Sequence, residues 1–261
     1  MDLELSGRTV LVTGGSKGIG RAVAEGFAEQ GCRLHLVARG AADLERTAAA
    51  IRGTHGVEVD VHALDLSDST SISTLVERVP AVDVLVNNAG AIPGGTLDAV
   101  DESTWRAAWD LKVFGYINLT RAYYARMRER GHGVVVNVIG LAGEKVDAGY
   151  IAGTAGNASL MAFTRALGGE SPAHGIRVLG VNPGAIETER LVGLMRTRAA
   201  AERGDADRWQ DYVANLPLGR PGKPREVADV VVFLASPRAS YVSGTVLAVD
   251  CGHSVRGASF R

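Results

Sequence analysis

Apolar and polar positions alternate along this chain with two different periods. Short runs that are apolar on both sides are separated by longer stretches in which apolar residues return every three or four positions. Arg8–Val12 (RTVLV), Arg33–Ala38 (RLHLVA), Glu58–Ala63, Val82–Val86 (VDVLV), Val134–Val138 (VVVNV), Arg177–Val181 and Thr245–Val249 read as strands. Arg21–Gln30 reads as a helix, with Ala22, Val23, Phe27 and Ala28 on the helical period and Gly31 behind them. A second helix runs from the end of the second strand to about Ile51. Trp105–Arg130, Ile151–Leu167 and Pro224–Ala235 read as further helices, the last with proline at its start and an acidic first turn.

Strands apolar on both faces and separated by helices predict a parallel sheet covered on both sides. Right-handed crossovers then make it a doubly wound, mostly parallel α/β fold. One domain over residues 1–261 accommodates the whole pattern, and a chain of this length buries a core that needs no staples. Leu191–Pro217 is the only long stretch outside the alternation, and 189–217 is expected to be a surface insertion that covers a substrate.

Charge then removes several function classes. The 28 Lys and Arg against 29 Asp and Glu give a net charge of −1, with no basic excess for a nucleic acid or an anionic membrane. No apolar run approaches the ~20 residues of a membrane span. The N-terminus MDLELSGRTVLVTGG lacks the basic region and cleavage site of a signal peptide, so a cytoplasmic location is expected. Cys32 and Cys251 stand far apart without a CxxC, and the six histidines are scattered, so neither a structural zinc nor another metal is expected. The 33 glycines fit many tight strand-to-helix turns.

The chemistry begins at the first such turn, Thr13-Gly14-Gly15-Ser16-Lys17-Gly18-Ile19-Gly20. Glycines at 14, 18 and 20, between a strand and a helix, let backbone N–H groups approach a pyrophosphate at a helix N-terminus. A plain tight turn is the alternative. At the end of the second strand, where a carboxylate would select NAD, the chain has Val37-Ala38-Arg39. Arg39 with Lys17 offers two cations to a ribose 2′-phosphate, which favours NADP(H) over NAD(H). Otherwise Arg39 is an ordinary surface charge.

With Asn87-Asn88-Ala89-Gly90 after the fourth strand, Asn182-Pro183-Gly184 after the sixth and Val249-Asp250 near the end, TGGSKGIG resembles the short-chain dehydrogenases/reductases, from about Leu5 to Gly252. The resemblance implies a Rossmann-type domain and an NADP(H)-dependent oxidoreductase that interconverts a carbonyl and an alcohol on a small molecule. It implies cofactor contacts from Gly14, Ser16, Lys17, Gly18, Ile19, Gly20 and Arg39. It adds Asp65 and Leu66 at adenine, Asn88, Ala89 and Gly90 at the adenosine ribose, and Pro183, Gly184, Ile186 and Thr188 on the nicotinamide side. Family members commonly pair the two long helices with their copies, which implies a homodimer or homotetramer. Tyr116, Tyr123 and Met127 could supply the apolar patch, or be buried against their own sheet.

The family's reaction uses an Asn, a Ser and a Tyr-x-x-x-Lys pair, in which Tyr moves the proton while Lys lowers its pKa. None of the lysines here, 17, 112, 145 and 223, follows a tyrosine by four. Registering Leu160–Leu167 on the family's helix puts Gly153 at the Tyr position and Asn157 at the Lys position. Gly140 falls at the Ser, thirteen residues before Gly153 as in the family, and Lys112 falls at the Asn. A different register would make Tyr150 the family tyrosine with Thr154 at the Lys, at the cost of three extra residues inside a packed helix.

Two readings follow. In one, the site is remodelled and active, with Lys112, Tyr150 and Asn157 as the catalytic candidates and Tyr150 filling the space of the lost ring. In the other, the protein binds NADP(H) without redox chemistry, as a sensor or silent subunit. Glu144, Lys145 and Asp147, in the loop after the fifth strand, are further polar candidates at the sheet edge where ligands bind.

Overall fold

The computed structural model describes residues 2–256, so residue 1 and residues 257–261 of the expected domain lie outside the described residues. Seven parallel strands form one sheet in the order β3-β2-β1-β4-β5-β6-β7. They are β1 Thr9–Thr13, β2 Arg33–Ala38, β3 Val59–Ala63, β4 Val84–Asn87, β5 Gly133–Val138, β6 Ile176–Pro183 and β7 Val246–Val249. The order reverses between β1 and β4, and in such sheets ligands bind in the crevice at the carboxyl ends beside this switch. This is the doubly wound, Rossmann-type arrangement expected from the alternation.

Strand side chains divide between the two faces with a period of two. Val10, Val12, Leu34, Leu36, Val84 and Val86 pack under α1 (Gly18–Glu29), α2 (Ala41–His55) and α9 (Pro224–Ala235). Leu11, Val37, Leu85 and Val135 pack under α3 (Ser69–Arg78) and α5 (Gly115–Arg130). On that second face a chain of buried hydrogen bonds ties the middle of the sheet to two helices. Asn87 Nδ2 donates to Thr120 Oγ1 and Asn137 Oδ1, each at 2.9 Å, and Asn137 Nδ2 donates to Thr164 Oγ1 at 2.9 Å. Buried polar groups tolerate little displacement once paired, so β4, β5, α5 and α6 (Ile151–Glu170) share one register.

Three sequence expectations change, and one open alternative is decided. No helix was expected between Ala63 and Val82, yet α3 lies there, capped by Asp68, whose carboxylate accepts from Thr70 N and Ser71 N. Its Ser- and Thr-rich sequence has weak helical propensity, and packing of Ile72, Leu75 and Val76 outweighs it. The expected single helix Trp105–Arg130 is three segments: α4 (Glu102–Trp109), a π turn over Asp110–Phe114, and α5. Leu191–Pro217 is not irregular, because α7 (Glu189–Arg203) and α8 (Gln210–Val213) occupy most of it. Of the two readings left open for Tyr116, Tyr123 and Met127, burial against their own sheet holds. All three are buried, and the two hydroxyls donate to Val138 O and Val79 O within the subunit. Among the described residues no helix is long and apolar enough to cross a membrane, and no three His, Cys, Asp or Glu side chains are grouped to hold a metal ion.

Candidate functional site

A cavity of about 830 Å³ opens at the carboxyl ends of the strands and runs from the loop after β1 to the turn after β7. Its β1 end is built from backbone. Gly14 and Gly18 have φ of +66° and +53°, and a Cβ on Gly20 would lie 2.1 Å from Gly14 O, so helix α1 starts against the loop itself. Thr13 fixes the neighbouring turn, its Oγ1 accepting from Asn88 N at 2.8 Å and Ala89 N at 3.0 Å. Asn88 Nδ2 donates back to Thr13 O at 2.9 Å. The result is a rigid cradle at a helix N-terminus, lined by Gly14, Ser16, Lys17, Gly18, Ile19 and Asn88.

The charges beside it are arranged unevenly. Lys17 is not a free cation, because its Nζ lies 2.9 Å from Asp43 and 3.8 Å from Glu189, and the Asp43 hydrogen bond raises its pKa. Asp43 also receives Arg46 and is held below the usual carboxylate range. Arg39 is exposed at the end of β2 and, among the described residues, its side chain has no partner.

The other end is built from side chains that occupy glycine space. A Cβ on Gly153 would fall 2.0 Å from Tyr150 Cε1 and 2.2 Å from its Cζ, so the Tyr150 ring lies where a side chain at 153 would start. A Cβ on Gly140 would fall 2.9 Å from Asn157 Nδ2, and one on Gly90 would fall 2.5 Å from Lys112 Cδ. Gly140 also has φ of +137° and ψ of +143°, a backbone that essentially only glycine adopts. Three glycines thus receive Tyr150, Asn157 and Lys112, and all six line the one cavity except Gly153, which lies beneath the ring.

Each of the three polar side chains is held. The loop around Gly95 bridges to Tyr150, with Gly95 N donating to Gly149 O at 2.7 Å. Lys112 stands on the π turn, a feature that often re-aims a side chain at functional sites. Its Nζ donates to Ile139 O at 2.7 Å and Val138 O at 3.3 Å. Loss of hydration, with Arg190 nearby, lowers its pKa to about 7. Asn157 is buried, and its Oδ1 has no hydrogen-bond partner. A buried acceptor left unpaired carries a desolvation cost that a bound donor would remove.

Arg190, which the sequence pattern did not mark, joins these parts. From the first turn of α7 it donates to Gly90 O at 3.0 Å, to Ile92 O at 2.5 Å and to Tyr150 Oη at 3.4 Å. No local motif surrounds it, and only folding brings α7 over the carboxyl edge of β4. Other expected residues lie elsewhere. Arg39, Asp65, Leu66, Ala89, Gly20 and Ile186 are not part of the cavity wall. Asp65 accepts from Ser67 N and Oγ, at 3.0 and 2.8 Å, and Leu66 packs into the second-face core. Ile186 is buried in the other core and bridges to Gly222. Pro183, Gly184 and Thr188 do line the cavity.

A sequence model of the family described as Enoyl-(Acyl carrier protein) reductase matches residues 14–254. The chain is 35% identical over 254 residues to galactitol 2-dehydrogenase (L-tagatose-forming) of Cereibacter sphaeroides, covering 97% of both chains. It is 34% identical to the 3-oxoacyl-acyl-carrier-protein reductase FabG of Escherichia coli (strain K12), covering 96% of this chain and 98% of that one. Among solved structures, L-sorbose reductase from Gluconobacter frateurii complexed with NADPH and L-sorbose superposes with a TM-score of 0.92 at 32% identity, covering 98% of this chain and 100% of that one.

Proposed function

The chain belongs to the short-chain dehydrogenase/reductase family, and from that premise we propose that it is an NADP(H)-dependent oxidoreductase interconverting a carbonyl and an alcohol at a rebuilt catalytic site. The observation that carries the proposal is the lodging of the Tyr150 ring over Gly153 in a cavity continuous with the glycine cradle.

The cradle fits a dinucleotide. Gly14, Ser16, Lys17, Gly18 and Ile19 would hold its pyrophosphate, with Asn88, Ala89 and Gly90 at the adenosine ribose and Asp65 and Leu66 at adenine. Pro183, Gly184, Ile186 and Thr188 would serve the nicotinamide side. Gly20 supports the fit, since its lack of a Cβ keeps α1 against the loop. NADP(H) is preferred because Arg39 is the unpaired cation at the end of β2, while Lys17 is shared with Asp43 and Glu189. When bound, the cofactor supplies or accepts the hydride.

The chain's own groups handle the proton. Tyr150 Oη gives it to the substrate oxygen in reduction and takes it in oxidation. The Arg190 guanidinium, 3.4 Å away, stabilises the negative charge that develops on Tyr150 Oη in reduction. Lys112 holds or releases a proton near neutrality at the cavity floor. Asn157 Nδ2 stands in the space over Gly140, where the family carries its serine, and orients the substrate oxygen. Residues 189–217, through α7 and α8, cover the substrate. The subunit assembles as a homo-oligomer, using the face where Leu97 and Phe114, 67% and 50% exposed, border Trp105. A monomer in sedimentation at micromolar concentration contradicts that assembly.

The test is NADPH oxidation against a panel of ketones, aldehydes and quinones, with Tyr150→Phe and Lys112→Ala as variants. Each variant is expected to bind NADPH normally and to lose about 10²-fold or more in turnover. Turnover that survives both substitutions rejects the residue roles. Tight NADPH binding with no turnover on any substrate makes the protein a non-catalytic binder.

A further inference from the structure

At the far end of the cavity the loop after β5 meets the turn after β7, and two nitrogen bases face each other there without an acid between them. Lys145 Nζ lies 3.0 Å from His253 Nε2 and donates to His253 O at 3.3 Å. Both side chains line the cavity. Among the described residues no carboxylate oxygen comes within 4.0 Å of Lys145 Nζ. The acids nearest in the chain are already engaged. Asp250 accepts from Gly252 N at 2.9 Å and from Ser254 N at 2.7 Å. Glu144 accepts from Asn182 Nδ2 at 3.4 Å, and Asp147 from Gly149 N at 2.8 Å.

A lysine beside an imidazole is an awkward pair by itself. Only one of the two carries a proton comfortably, and burial together with Lys145 pushes the His253 pKa down, with Asp250 opposing and Arg256 assisting. His253 Nδ1 is buried with no hydrogen-bond partner. Two of the ammonium protons point to His253, and an anion in the cavity takes the third and supplies the pairing charge that Lys145 lacks.

We propose that Lys145 and His253 form an anion-binding subsite for the substrate, so that the carbonyl or alcohol substrate carries a carboxylate or a phosphate group. The substrate part of this proposal rests on the oxidoreductase reading, whereas the anion subsite stands on the geometry of the pair. The subsite is separate from the pyrophosphate cradle. The cradle follows β1, whereas Lys145 follows β5, two strands away, and His253 follows β7.

The experiment is calorimetry on the full chain, with and without NADP+, using hexanoate, hexyl phosphate and the neutral hexanamide. Hexanoate or hexyl phosphate is expected to bind about tenfold or more tightly than hexanamide, and the tighter of the two identifies the anion. Lys145→Ala should abolish the preference and Lys145→Arg should retain it, with unchanged melting in both. Equal binding of hexanamide overturns the subsite, as does an anion preference that survives both Lys145→Ala and His253→Ala. Absence of carbonyl turnover beside an intact, Lys145-dependent preference supports the subsite and rejects the oxidoreductase reading. Turnover of neutral carbonyls with no anion preference does the reverse.

Discussion

The loop after β1 and the cavity floor behind β4 and β5 both depend on glycine, for opposite reasons. At Gly20 the missing Cβ lets one stretch of backbone touch another, with Gly14 O only 2.1 Å from where the atom would be. At Gly90, Gly140 and Gly153 the missing Cβ makes room for a polar side chain, from another element at the first two and from the residue that starts the same helix at the third. The first use belongs to a local motif of eight residues, Thr13 to Gly20. The second is spread over the ends of β4 and β5, the π turn and α6, and it works only as a set.

The sharpest way to break the comparison is Gly153→Ala. A methyl at 2.0 Å from the Tyr150 ring forces the ring out of its seat, while the cradle after β1 is untouched. Turnover should fall by about 10²-fold or more, the scale for losing a positioned acid–base group. NADPH affinity should stay near wild type in calorimetry. A fully active Gly153→Ala protein rejects Tyr150 as the proton carrier. Putting tyrosine at 153 should not restore activity either, because its own Cβ meets the same ring.

Gly20→Ala tests the other region. Its new methyl meets a backbone oxygen, which cannot swing aside as a side-chain tip does. Overpacking of this kind costs about 1–3 kcal/mol, so the melting temperature should drop by several degrees. NADPH binding should weaken with it, since α1 can no longer start against the loop. Unchanged melting and unchanged affinity would show that the loop yields freely.

How much of this was legible in the sequence follows the same division. The alternation gave the strand and helix order because a parallel sheet buried on both faces leaves a strong apolar signal. The TGGSKGIG loop was legible because its glycines are contiguous. Helix α3 was not, since Ser and Thr carry little helical signal and only Ile72, Leu75 and Val76 within it are buried. Glycines 140 and 153 could be seen only as departures from a pattern. Which side chains fill their space depends on the crossing of α6 with the loop before it, a tertiary fact. Arg190 and the Lys145–His253 contact were illegible for the same reason, because each joins segments far apart in the chain. Tyr116, Tyr123 and Met127 were left between a surface patch and burial for the same reason, since an apolar residue on a long helix does not say which neighbour it faces, and they are buried.

Arg39→Ala should have a smaller and more selective effect. With no carboxylate partner of its own, the guanidinium is available to a 2′-phosphate. Its removal should weaken NADPH by about tenfold and leave NADH nearly unchanged, the scale of one charge-assisted contact. Equal affinities for the two cofactors in the wild-type protein would remove the NADP(H) preference altogether.

The last expected effect is on the pH dependence of stability, and it isolates Lys112. Its folded pKa of about 7 lies well below the 10.5 of an unperturbed lysine. Between these values the unfolded chain binds a proton that the folded chain does not, so the unfolding free energy of the wild type rises with pH in that window. Below pH 7 both states are protonated, and the cost of burying the charge is fully present and constant. Lys112→Met keeps an unbranched stem and removes the titration. Its melting temperature relative to wild type should therefore be highest at pH 6–7 and fall steadily towards pH 9, by about 2–4 °C for each kcal/mol recovered. The lost hydrogen bonds to Ile139 and Val138 displace this difference to a similar extent at every pH, so its slope carries the information. Parallel melting curves for the two proteins between pH 7 and 9 would mean that Lys112 keeps its proton throughout, and the cavity floor would then hold a fixed cation rather than an exchangeable one.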